Sequence, residues 1–181
     1  ADRLERPDRM VFDLDPDEKL GFAETKQAAF DLKSLLSDIG LEAYAMATGG
    51  KGVHLVVPLR RTVGWDTLKS FAKTLAHLMA EREPDRFTAT MSKEKRKGRI
   101  FIDWLRNERG ATAILPYSVR ARPGAPVATP VTWDELKELK SAAAFGLKDM
   151  AERLGQEEPA LAVKPQTLGK AVIDKLERRV G

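Results

Sequence analysis

The run Val11-Phe12-Asp13-Leu14-Asp15-Pro16 is the part of the 181-residue chain most plainly built for chemistry. In an extended strand, residues i and i+2 share a face. Asp13 and Asp15 therefore project together, Phe12 and Leu14 project the other way, and Pro16 ends the strand, so the pair sits at a sheet rim. Two carboxylates about 7 Å apart along a strand repel each other, and a divalent cation between them removes the conflict. A bare D-x-D is ordinarily an exposed strand end, but here the flanking residues are apolar. Asp103 is a second anomaly: it stands inside Ile100-Phe101-Ile102-Asp103-Trp104-Leu105, where an unpaired buried charge is expensive. Brought together, Asp13, Asp15 and Asp103 would form a three-acid, two-cation site. Such a site suits phosphoryl or nucleotidyl transfer, with one ion on the attacking hydroxyl and the other on a triphosphate. An ion pair of Asp103 with Arg106 or Arg120 is the structural alternative, and spacing leaves both open.

A second motif, Thr48-Gly49-Gly50-Lys51-Gly52-Val53-His54, lacks Walker spacing and leads into a strand rather than a helix. Its backbone N–H groups can still face phosphate oxygens, with Thr48, Gly49 and Lys51 as candidate contacts. His54 lies among Val53, Leu55, Val56 and Val57, where a structural histidine and a ligand-facing one are equally good readings. His77, on a helical stretch, reads as structural. Arg96, Arg106 and Arg120 are candidates for a triphosphate clamp, since guanidinium forks match phosphate oxygens. Charge is concentrated around Asp103. Residues 91–122 hold nine basic and three acidic side chains, a net +6 in a chain of net +4. A solvated loop is the ordinary meaning of such a run; a polyanion held near Asp103 is the sharper one.

Composition narrows the options. No Cys is present, which removes disulfides, thiolate metal sites and cysteine nucleophiles and suits a reducing cytoplasm. With only two His, a catalytic metal must be an oxygen-bound hard cation. No apolar run approaches the ~20 residues of a membrane span, and no signal-peptide pattern opens the chain.

The elements that must position these residues follow from periodicity. Strands are expected at Met10–Leu14, Ala43–Ala47, Val53–Leu59, Phe87–Thr90, Arg99–Leu105 and Tyr117–Arg120. Amphipathic helices are expected over Gly21–Ile39 and Gly64–Arg82. Two strand–helix–strand halves imply an α+β fold with a ferredoxin-like, RNA-recognition-like antiparallel sheet and both helices on one face. Residues 1–122 then form the catalytic core. Residues 123–181 form a proline-rich linker over Ala121–Pro130 and C-terminal helices packing on the core, one capped by Thr132 with Glu135 and one by Thr167 over Leu168–Arg179.

With these motifs assembled, MVFDLDPDE, ATGGKGVHLVVPL, KRKGRIFIDWLRN and ATAILPYSVRARPGAPVATPVTWDEL occur in order over nearly the whole chain. In that combination the chain resembles the polymerase domain of bacterial ATP-dependent ligase D, of the archaeo-eukaryotic primase superfamily. The resemblance implies that Asp13, Asp15 and Asp103 bind two Mn²⁺ or Mg²⁺ ions and that Asp103 helps deprotonate a primer 3′-hydroxyl. It implies that Thr48, Gly49, Lys51, His54 and Arg96 hold the incoming triphosphate, with Arg120 needed near the site and Arg106 at a variable position. The implied activity adds nucleotides, often ribonucleotides, to DNA ends or gaps in non-homologous end joining, alongside Ku and ligase and nuclease domains, in the bacterial cytoplasm at the nucleoid. Relatives carry a longer domain with a DNA-gripping segment before the DLD strand. This chain is therefore expected to match the C-terminal part of the domain and to be weakly active or inactive alone. Haloacid-dehalogenase phosphatases also use D-x-D, but Asp17 and the solitary Asp103 do not fit them, and a metal-dependent glycosyltransferase with a D-x-D is a comparably poor match. A non-catalytic nucleic-acid-binding module with an RNA-recognition-like sheet is the alternative from another class.

Overall fold

A computed structural model describes residues 3–154 and 159–180. Within them the chain is a mixed α+β fold with a six-stranded sheet and five helices. The strands are β1 (Arg9–Pro16), β2 (Tyr44–Ala47), β3 (Val53–Pro58), β4 (Phe87–Thr88), β5 (Ile100–Asp103) and β6 (Thr129–Val131). The helices are α1 (Phe22–Asp38), α2 (Trp65–Arg82), α3 (Trp133–Glu138), α4 (Leu147–Arg153) and α5 (Lys170–Val180). The strand order is β4-β5-β1-β3-β2-β6, antiparallel throughout except for the β4–β5 pair.

Alternation in β1 decides how the sheet is used. Met10, Phe12 and Leu14 are fully buried in the main core, which α1 and α2 also line. The helices bury matching stripes at three- and four-residue spacing: Ala28, Ala29, Leu32, Leu35 and Leu36 from α1, and Leu68, Phe71, Ala72, Leu75 and Met79 from α2. A buried side chain of this size contributes roughly 1.5–3 kcal/mol, so this face holds the sheet together. Val11, Tyr44 and Val56 form a small separate cluster on the other face. Asp13 and Asp15 share that second face with Val11. Helix α1 stops where Gly40 turns left-handed (φ 88°).

Several expectations change at the periphery. Strand β4 has only two residues, and Tyr117–Arg120 contributes a single bridge, Val119 to Val127, because Tyr117 itself adopts a positive φ of 64° and breaks the extended run. The proline-rich stretch stays without helix or strand up to Ala128, apart from the Val127 bridge, and only its end joins the sheet. Thr129–Val131 pairs with β2 as an edge strand, where Pro130 is tolerated because its missing N–H can face outward. Thr132 and Glu135 form the expected capping box at α3. The last helix begins at Lys170 rather than Leu168, which is buried in the core instead, so Thr167 does not cap it.

Candidate active site

Asp13 sits at the centre of β1 with Asp103 directly opposite on β5 and His54 directly opposite on β3. Directly paired residues point to the same face of a sheet, so one face carries Asp103, Asp13 and His54 in a row across three strands. Asp15, two residues along β1, joins them. His54 and Asp103 are buried, and Asp13 is nearly so. His54 Nε2 lies 3.4 Å from Asp13 Oδ1, while its Nδ1 is buried without a hydrogen-bond partner. The Arg106 guanidinium lies 3.0 Å from Asp103 Oδ2 and 3.5 Å from Asp13 Oδ2. Arg96 ion-pairs with Asp15 and stacks over Phe101, 4.7 Å from the ring centre. The structural alternative for Asp103 is thus realised through Arg106, on the same sheet face that carries Asp13 and Asp15.

The two central carboxylates are pushed apart in acidity. Burial raises the Asp103 carboxyl, Arg106 and the Leu105 N–H oppose that, and the neighbouring charges of Asp13 and Asp15 push further upward, for a net rise. Burial also pushes Asp13 upward, but His54 and then Arg106 more than offset it, and its carboxyl lies below the usual range.

The glycine loop packs against this row. Thr48 donates its hydroxyl to the Gly52 carbonyl (2.8 Å), and Arg120 donates to the Thr48 carbonyl at 3.5 Å. Gly49 is left-handed (φ 68°). Gly52 lies so close to β1 that a Cβ there would stand 2.5 Å from the Leu14 carbonyl oxygen and 3.3 Å from Asp13 Oδ1. Thr48, Gly49 and Arg120 therefore build the loop, whereas Lys51 reaches outward. Lys51 lines a cleft of about 670 Å³ with Asp15, Lys93, Arg96 and Lys97.

Lys93, Lys97 and Asn107 were not singled out from the sequence. Both lysines belong to the basic run, whose facing toward Asp15 spacing could not disclose. No sequence signal marks Asn107, buried at 2% exposure beneath the site. For metals, Asp13, Asp15 and Asp103 supply the hard oxygen donors that divalent cations prefer. Among the described residues, however, no three acidic or histidine groups converge on one point; Arg96 and Arg106 hold the carboxylates instead.

Residues 1–161 match the family model of the LigD primase-polymerase domain. The chain belongs to this family. The multifunctional non-homologous end joining protein LigD of Pseudomonas aeruginosa is 45% identical over 153 residues, covering 84% of this chain and 18% of that protein. The bifunctional non-homologous end joining protein LigD of Bacillus subtilis is 31% identical over 150 residues, 82% of this chain and 24% of that protein. The chain thus spans about a fifth to a quarter of the length of these LigD relatives. Among solved structures, the polymerase domain of Mycobacterium tuberculosis ligase D in complex with DNA matches with a TM-score of 0.78 and 35% identity, over 84% of this chain and 53% of that one. Among the described residues, no helix is long and apolar enough to cross a membrane.

Proposed function

We propose that this chain carries the nucleotidyltransferase centre of a LigD-type primase-polymerase, adding nucleotides to DNA ends or gaps during non-homologous end joining. The observation that carries the reading is the pairing of Asp13 with Asp103 on adjacent strands, with Asp15 on the same face and a lysine- and arginine-lined cleft beside it. A non-catalytic RNA-recognition-like module would present stacking aromatics on this face. Here the aromatics of this face, Phe101 beneath Arg96 and Tyr44 in the small cluster, are buried, and the row across the three central strands is Asp103, Asp13 and His54. We also read β5-β1-β3-β2, with α1 and α2 behind, as the ferredoxin-like core, β4 and β6 being edge additions. Residues 1–122 then form the catalytic unit, to which 123–181 adds an edge strand and helices.

In this reading Asp13, Asp15 and Asp103 would hold two Mn²⁺ or Mg²⁺ ions, whose charge would lower the pKa of an attacking hydroxyl and neutralise a triphosphate. The work of the chain itself follows from its geometry. Lys51, Lys93, Lys97 and Arg96 line a cleft that attracts and orients a polyphosphate. Asp103, the last residue of β5 and opposite Asp13, is placed to accept the proton of a primer 3′-hydroxyl. His54 buttresses Asp13 through Nε2 and keeps Nδ1 for a ligand atom. Arg106 counters the charge of the Asp13–Asp103 pair. The partners that follow are nucleoside triphosphates, primer–template or gapped DNA, Ku, and ligase and nuclease domains, in a bacterial cytoplasm.

The test is Mn²⁺-dependent extension of a gapped primer–template with a labelled nucleoside triphosphate. Incorporation that disappears in Asp13→Asn and in Asp103→Asn supports the reading. Salt-dependent DNA binding with no incorporation, even after the chain is extended at its N-terminus, would transfer the site to the binding-module class.

A further inference from the structure

Strand β1 runs eight residues, but β5 accompanies only half of it. Pairing covers Asp13 to Pro16 and stops at Asp13–Asp103. Along an antiparallel pair, alternate residues exchange both backbone hydrogen bonds with the partner strand. The next β1 residue owed such an exchange on this side is Val11, whose partner in a continued β5 would be residue 105. That partner is missing because the chain turns away after Asp103, with Leu105 N–H bonded to the Asp103 carboxylate. Two buried backbone groups would be orphaned there, and each unsatisfied group is costly.

Asn107 fills the gap with its side chain. Its Oδ1 accepts from Val11 N–H at 2.7 Å, and its Nδ2 donates to the Val11 carbonyl at 2.7 Å and to the Trp104 carbonyl at 2.8 Å. A primary amide offers one acceptor and two donors from a single plane, which is what one strand residue plus one turn contact requires. The turn that Asn107 closes has a consequence for Arg106. Had β5 continued as a strand, Arg106, three residues after Asp103, would have pointed to the helix-packed face. Because the chain turns, its guanidinium instead returns to the acidic face and reaches both Asp103 and Asp13.

We infer that Asn107 is a positioning residue: its amide replaces one residue of β5 in the ladder and thereby fixes the turn that delivers Arg106 to the Asp13–Asp103 pair. Asn107 touches neither carboxylate and acts through Arg106. The consequence for turnover rests on the nucleotidyltransferase reading above; the consequence for Arg106 does not, and the experiment separates them.

Four proteins are compared: the unsubstituted chain, Asn107→Ala, Arg106→Ala and the double variant. In the ¹⁵N guanidinium spectrum of arginine-labelled protein, the signal absent from Arg106→Ala identifies Arg106. In the unsubstituted chain that signal shows the slowed rotation of an ion-paired guanidinium, and in Asn107→Ala it takes on the averaged character of a free one, while the far-UV spectrum stays native. In Mn²⁺-dependent single-nucleotide addition, Asn107→Ala lowers kcat about tenfold with a smaller change in KM, the size expected of a misplaced contact group. Added to Arg106→Ala, the same substitution changes kcat less than about twofold, since the residue it acts through is already gone. If Asn107→Ala does not fold, Asn107→Ser, whose hydroxyl ends one atom short of the Val11 groups and leaves room for a bridging water, is read in the same way and shows shifts of the same sign. An unchanged Arg106 signal in a folded Asn107 variant overturns the inference. So does an equal fold-loss from Asn107→Ala with and without Arg106, which marks a general structural role. Absence of turnover in the unsubstituted chain counts against the proposed function alone, and the guanidinium spectrum still decides this one.

Discussion

Replacing Gly52 by alanine should injure the protein at one identifiable contact. The added Cβ would stand 2.5 Å from the Leu14 carbonyl oxygen, a backbone atom that cannot rotate away. To reach even a tight contact of about 3.0 Å, β3 and β1 must part by at least half an ångström just beside Asp13. Overpacking of this kind costs about 1–3 kcal/mol. For a chain of this size each kcal/mol lowers Tm by about 2–4 °C, so the expected fall is roughly 2–12 °C. Displacement of the Asp13 backbone should also reduce Mn²⁺-dependent incorporation about tenfold beyond the loss of folded protein. Gly50→Ala is the internal control. Its Cβ would meet only Thr48 Oγ1 at 3.5 Å and the Arg122 guanidinium at 3.6 Å, ordinary contacts, and Gly50 is not left-handed. Alanine there also narrows the unfolded ensemble, worth about 0.4–1 kcal/mol, so Tm should hold or rise slightly. Thermal denaturation followed by circular dichroism ranks the two. Equal Tm values, or Gly50→Ala falling further than Gly52→Ala, would falsify the assignment of Gly52 as the glycine demanded by sheet contact.

Asp103→Asn should raise Tm in the absence of divalent ions while abolishing incorporation, because burial and the charges of Asp13 and Asp15 disfavour its ionised form; a lower Tm in a calorimetric scan rejects that balance. Glu135, whose carboxyl is held below its ordinary value of 4.5 chiefly by Arg153, contributes stability that is fully present above that value. That contribution is lost as the pH falls through the depressed folded value, so Glu135→Gln should flatten the acid limb of a Tm-versus-pH curve; an unaltered limb removes the pair from the account. Binding to primer–template DNA should weaken steeply with salt, and removing Lys93 or Lys97 should lower the log–log slope by about 1 if each meets a phosphate. A slope that both substitutions leave intact places the DNA elsewhere.

How much of this could be read before folding depends on the range of the forces involved. Alternation alone put Asp13 and Asp15 on one face and Phe12 and Leu14 on the other, because a strand's period is local. The stripes of α1 and α2 were equally legible, and both helices begin and end within a residue or so of their expected limits. The edge of the sheet was not. Thr129–Val131 carries a proline and follows two others, a pattern that suggests a linker, and only the free edge of β2 makes a strand of it. Register was equally invisible: nothing in the two segments says that Asp103 pairs with Asp13 rather than with Asp15, which falls opposite Phe101.

Arg106 shows most clearly where local reasoning ends. Its distance from Asp103 along the chain is compatible with an ion pair in a turn and incompatible with one in a strand, and the apolar run from Ile100 to Leu105 argues for the strand. What settles the matter lies 96 residues before Asn107, in the two hydrogen-bonding groups of Val11, which a strand residue or an asparagine amide can satisfy equally well. The choice of the amide ends β5 early, turns Arg106 onto the acidic face, and leaves Asp103 as the last residue of its strand, the rim position that a triphosphate could approach from the Asp15 cleft. The strand's termination and the site's electrostatics are thus one event, and sequence spacing could describe neither without the partner strand.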